Sequence, residues 1–201
     1  CRVLLASRSG HLVRDGQGLD IQLGLMGPRA AVAACDSADF CSVMALLSTS
    51  NASGTMHAAG MADKGLLVGV EAQHVERMYA SKATGAWHLH CAAAAVSLEA
   101  HALFSSVGAA LGNVGQANYA AGNAVLDSHA ISGRARGKVR SSLQWPLIGG
   151  AGMGAAAFCA DSCNRRFAIA GLASISLDEY VACLSIEVAP SAGVMLAVRL
   201  V

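Results

Sequence analysis

The chain has 201 residues, of which 54% are hydrophobic and 13% charged, with a formal net charge of +1. That length suits one domain with a sizeable core, and the balanced charge leaves neither a basic field for nucleic acid nor an acidic tail. Gly, Ser, His and charged residues interrupt every apolar run before it reaches the roughly 18 residues of a membrane span, so no nucleic-acid or membrane partner is expected.

Short apolar strands alternate with longer helical patterns, which predicts βαβ units and a parallel sheet. Much of the apolar fraction is alanine and only 4% of residues are aromatic, which suits helices packed closely on a sheet. In chain order the pattern predicts a strand over 2–7, a helix over 19–26, a strand over 30–35, a helix over 38–47 and a strand over 54–59. Two helices over 71–79 and 82–98 follow, then a strand over 102–106, a helix over 116–136 and a strand over 141–145. The last helix is expected over 176–188, opened by a capping box at Ser176-Leu177-Asp178-Glu179, and the last strand over 194–200. A glycine-rich stretch over 148–154 follows a strand end and reads as a flexible lid.

The seven cysteines stand at 1, 35, 41, 91, 159, 163 and 183, mostly in apolar segments. They read as free thiols in a reducing, intracellular compartment. His88, His90 and Cys91, or Cys159 and Cys163, match no closed tetrahedral spacing, and no metal is expected.

The strand over 102–106 ends in Ser105-Ser106, and Tyr119 opens an alanine-rich helix with Asn123 four residues on. Residues four apart share a helix face. A serine hydroxyl and a tyrosine phenol at the carboxyl end of a strand can hold a carbonyl and protonate it. No Gly-x-Gly-x-x-Gly phosphate cradle follows the strand over 2–7, which ends instead in Ser7-Arg8-Ser9-Gly10. Arg8 is either a solvated surface cation or, at a strand end where an acid would mark NAD, a ligand for the 2′-phosphate of NADP. Asp36 could cap the next helix, although Asp39 is better placed for that. In His57-Ala58-Ala59-Gly60 the small residues allow close backbone approach, and His57 reads as structural. Lys82 opens its predicted helix and taken alone is a solvated lysine.

Together these residues resemble the ketoreductase domain of modular polyketide synthases, a branch of the short-chain dehydrogenase/reductases. The resemblance rests on Ser-Arg-Ser-Gly at 7–10, Cys-Asp at 35–36, His-Ala-Ala-Gly at 57–60, and Lys82 placed 24 positions before Ser106. It rests also on Gly85-Ala86-Trp87-His88-Leu89-His90 and on Tyr119, thirteen positions after Ser106, with Asn123 where stand-alone members carry lysine. It covers nearly the whole chain but only the later four-fifths or so of a catalytic subdomain. The implied fold is α/β, a Rossmann-like doubly wound parallel sheet over residues 1–201. The first strand and its glycine-rich turn are expected upstream of Cys1.

The resemblance implies catalytic roles for Lys82, Ser106, Tyr119 and Asn123, with Ser106 favoured over Ser105. It implies NADPH binding by Arg8 (2′-phosphate), Asp36 (adenine amino group), Ala58, Ala59 and Gly60 (backbone approach), Lys82 (ribose) and Tyr119. The family's stereochemical markers are reduced here to Ala62-Asp63-Lys64, Leu111 and Trp145-Pro146-Leu147-Ile148, so product configuration stays open. The expected activity is NADPH-dependent reduction of a β-ketoacyl thioester on an acyl carrier protein, beside neighbouring synthase domains. A fatty-acid synthase ketoreductase and a non-catalytic ketoreductase-like scaffold are the alternatives.

Overall fold

The computed structural model describes residues 2–12, 18–61, 65–96, 98–112, 114–149, 172–187, 194–196 and 199–200. β1 (Val3–Ser7) pairs in parallel with β2 (Ala30–Ala34), Val3 opposite Ala30, and α1 (Leu19–Met26) with a short 3-10 turn at Gly27–Arg29 connects them. At the end of β1 the chain reverses through Gly10, whose amide donates to the Ser7 carbonyl. Gly10 has φ +71°, and a Cβ there would stand 3.2 Å from Ala34, so both conformation and space call for glycine.

A second parallel sheet has the order β3 (Gly54–His57), β4 (Ala100–Ser106), β5 (Ser141–Trp145) and β7 (Val194–Leu196). Among the described residues no ladder joins β1 to β3. β6 (Leu172–Ala173) and β8 (Arg199–Leu200) form a small antiparallel pair that the sequence pattern does not predict. The strand expected over 194–200 is thus two short strands with different partners, and β3 stops at His57 rather than at 59.

Helices cover both faces of the larger sheet. Successive residues of β4 point to opposite faces. Leu103 packs with Ala86 of α4 (Gly85–Ala93) and Leu126 of α6 (Ala117–Ala135). Ala102 packs on the other face with Leu143, Trp145 and Ile175, against Tyr180 of α7 (Leu177–Glu187). Buried positions of α6 recur as Asn118, Gly122, Asn123, Leu126, Ala130 and Gly133, one helical face. α2 (Phe40–Ser50) is capped by Asp39, which accepts hydrogen bonds from the amides of Cys41 and Ser42, and it packs on α4 through Val43, Leu47 and Ala92. α5 (Gly108–Leu111) is a single turn after β4.

The helices expected over 71–79 and 82–98 are one continuous run. α3 (Ala72–Tyr79) passes through a π turn at Ala80–Thr84 into α4, which stops at Ala93. Lys82 therefore sits inside a helix rather than at its start. The capping box at Ser176 and Glu179 forms reciprocally: the Glu179 amide donates to Ser176 Oγ at 3.1 Å and the Ser176 amide to Glu179 Oε2 at 2.8 Å. Of the stretch 148–154, Ile148 bridges to Ile175 and the Gly149 amide donates to the Ile175 carbonyl; 150–154 lie outside the described residues, as do Ala62-Asp63-Lys64, Cys159 and Cys163. No helix among the described residues is long and apolar enough to cross a membrane.

Candidate active site

The site is built around Lys82. The π turn adds one residue to the helical register, a distortion common at functional sites. The Lys82 side chain is 3% exposed. Its Nζ donates to the Phe104 carbonyl of β4 at 2.9 Å and lies 5.7 Å from the centroid of the Tyr119 ring, within reach of a cation–π attraction. Burial lowers its pKa from 10.5 to about 8, against the opposing charge of Asp127.

Gly60 makes room for it: a Cβ there would stand 2.7 Å from Lys82 Cε. Gly60 thus clears the lysine stem, a role distinct from the backbone approach expected of it. His57 is buried, and its Nε2 donates to the Lys82 carbonyl at 3.2 Å. Burial pulls His57 down to about 4, so it is a neutral strut for the π turn.

The two serines of β4 divide their tasks. Buried Ser105 donates from Oγ to the Asn123 carbonyl at 3.3 Å, tying α6 to β4. Half-buried Ser106 ends the strand, and its Oγ accepts the Gly108 amide at 3.1 Å. Its hydroxyl proton can still be donated, as the expected carbonyl-holding role requires.

Asn123 is fully buried, and its Nδ2 donates to the Tyr119 carbonyl at 2.8 Å. Among the described residues the side chain bonds its own helix one turn back. Its Oδ1 has no partner among the described residues. Tyr119 is half-buried at the start of α6. Lys82, Gly60, Tyr119, Asn123 and the end of β4 thus form one connected group.

Arg8 and Asp36 stand apart from that group, each just past the carboxyl end of its strand and exposed. Among the described residues Arg8 makes no hydrogen bond or ion pair, and Asp36 Oδ1 accepts the Ala38 amide at 2.9 Å. Ala58 and Ala59 are exposed beyond β3. An unengaged guanidinium, a carboxylate with a second oxygen and a loop of small residues, all at strand carboxyl ends, fit a nicotinamide dinucleotide. The residue that sequence reasoning misses is Asp127, two turns beyond Tyr119 on the same stripe.

His88 and His90, weighed above as metal ligands, are engaged otherwise. His88 Nδ1 donates to the Ser37 carbonyl at 3.1 Å, and Arg140 Nη2 donates to His90 Nδ1 at 2.5 Å.

Comparison with known proteins places the chain in a family. The family model described as "KR domain" matches residues 1–150. Polyketide synthase GfsA of Streptomyces halstedii is 39% identical over 181 residues, which cover 88% of the chain and 2% of that protein. The spectinabilin polyketide synthase system protein NorB of Streptomyces orinoci is 35% identical over 202 residues, covering 98% of the chain and 9% of that protein. Among solved structures, A-type ketoreductases from a modular polyketide synthase superpose with a TM-score of 0.86 at 29% identity, over 100% of the chain and 42% of that one. The first ketoreductase of the tylosin synthase gives 0.83 at 30% identity, over 99% and 43%. The chain thus spans under half of these solved chains and a small part of the curated relatives. Its Rossmann-like α/β fold, the matched residues and these identities establish that the chain belongs to the KR domain family, the ketoreductase domains of polyketide synthases.

Proposed function

We propose that the chain reduces a β-ketoacyl thioester, held on an acyl carrier protein, to the β-hydroxyacyl thioester with NADPH, as one domain of a polyketide-synthase-like polypeptide. KR domains are oxidoreductases. The observation that carries the finer reading is the buried Lys82 ammonium under the Tyr119 ring, held to the Phe104 carbonyl in a π turn.

Bound NADPH supplies the hydride. Arg8 would hold its 2′-phosphate, Asp36 its adenine amino group, the backbone of 58–60 its approach and Lys82 its ribose. Ser106 donates its hydroxyl proton in a hydrogen bond to the substrate carbonyl oxygen and polarises it. Tyr119 transfers the phenolic proton to the developing alkoxide. The Lys82 cation stabilises the phenolate left behind, and low-dielectric burial strengthens that effect. Asn123 holds the first turns of α6 through the Tyr119 carbonyl, fixing the phenol's starting point.

Tyr119→Phe, made in the intact polypeptide, should reduce turnover of a simple β-ketothioester by about 10²-fold or more while NADPH still binds. Near-normal turnover would remove Tyr119 from the reaction. An unsubstituted chain with no turnover at all would favour the scaffold alternative.

A further inference from the structure

We propose that Asp127 is a positioning residue for this reaction, pinning the helix that carries Tyr119 and Asn123 to β5 and holding a fixed negative charge on the helix that packs against the Lys82 turn. The proposal rests on the reading of Lys82 and Tyr119 given above.

Asp127 lies four residues beyond Asn123 and eight beyond Tyr119, along one stripe of α6. Its Oδ1 accepts a hydrogen bond from Ser142 Oγ at 2.6 Å and its Oδ2 one from Gln144 Nε2 at 2.7 Å. Both donors belong to β5 and are buried, Ser142 completely. In the parallel ladder Ser142 stands opposite Leu103 and Gln144 opposite Ser105, and Ser105 itself bonds the Asn123 carbonyl. α6 is therefore tied to β4 through Ser105 and to β5 through Asp127. Hydrogen bonds to a charged acceptor are stronger than neutral ones, and Asp127 accepts two against the single neutral bond of Ser105, so the Asp127 tie is the stronger of the two.

The same carboxylate acts on Lys82. Lys82 is buried, and desolvation drives it toward the neutral amine. Asp127 is the charge that opposes this. The other titratable groups meeting Lys82 are His57 on β3, kept neutral by burial, and Tyr119 on α6. α3 and α4 pack against the same π turn without adding a charge interaction to Lys82 among the described residues. A lysine that must stay cationic to stabilise a phenolate gains from a fixed anion, and the two β5 donors fix this one.

The test is Asp127→Asn in the intact polypeptide, with two readouts. The alkaline limb of kcat/KM for a simple β-ketothioester, set by Lys82, should move down by about half to one pH unit. The loss should grow from about threefold near pH 6.5 to about sevenfold to twentyfold near pH 8.5. Without cofactor or substrate, the Lys82 Nζ titration followed by NMR of 15N-lysine-labelled protein should move in the same direction. A loss uniform with pH, or an unmoved titration, would overturn the proposal and leave Asp127 a purely structural tie. If Asp127→Asn does not fold, Asp127→Glu decides: it should lose rate while keeping the original alkaline limb, and a displaced limb overturns the proposal. A titration that moves in a chain without turnover would retain the role of Asp127 beside Lys82 and overturn the reductase reading instead.

Discussion

The β1–α1–β2 unit and the β4–β5–α6 unit are built from similar apolar material and are used in opposite ways. No residue of β1, α1 or β2 is buried, and Ile21 and Leu25 of α1 are 66% and 85% exposed. Every residue of β5 is buried, as are His101, Ala102, Leu103 and Ser105 of β4. The packed unit holds the groups proposed to transfer the proton, whose positions must be fixed closely for chemistry. The open unit offers Arg8 and Asp36 at the ends of strands that have one ladder partner each among the described residues. Order is concentrated where the proposed reaction moves a proton, and the dinucleotide's expected ligands stand on the open side.

The largest test of this contrast is acid. Burial lowers His57 and His101 from 6.5 to about 4 and about 3, and both lie in the larger sheet. The folded chain therefore binds fewer protons than the unfolded chain below pH 6.5, and stability falls as pH drops. It should be level between about pH 6.5 and 7.5 and lose on the order of several kcal/mol by pH 4. Thermal melts across that range check this, and a Tm unchanged down to pH 4 would mean that the two imidazoles are solvated.

Next in size is a pair of leucines. Leu126→Ala, at a fully buried position between β4 and α4, should cost about 2–5 kcal/mol. Leu25→Ala on α1 should stay within about 0.5 kcal/mol. Denaturant midpoints compare the two, and equal costs would erase the distinction between the units. The smaller effect is confined to the cofactor: Arg8→Ala should weaken NADPH by about 1.5–3 kcal/mol and NADH much less. Equal weakening of both, measured by fluorescence titration of the intact polypeptide, would show that Arg8 is not the phosphate ligand.

The sequence by itself determines the alternation of strands and helices, the Asp39 cap, the Ser176–Glu179 box and the placing of Ser106 and Tyr119 at the ends of their elements. These features are written in hydrogen bonds and periodicities that span four residues or fewer, so a linear reading reaches them. Only the tertiary structure decides that Lys82 lies in a π turn and reaches Phe104, 22 residues away. It alone decides that Gly60 clears the lysine stem, that Asn123 turns back on its own helix, that 194–200 divides between two ladders, and that Asp127 bridges to β5. Each of these depends on which buried surfaces meet. That is set by packing between elements far apart in the chain, where a single missing Cβ or one carboxylate between two strands has no local signature.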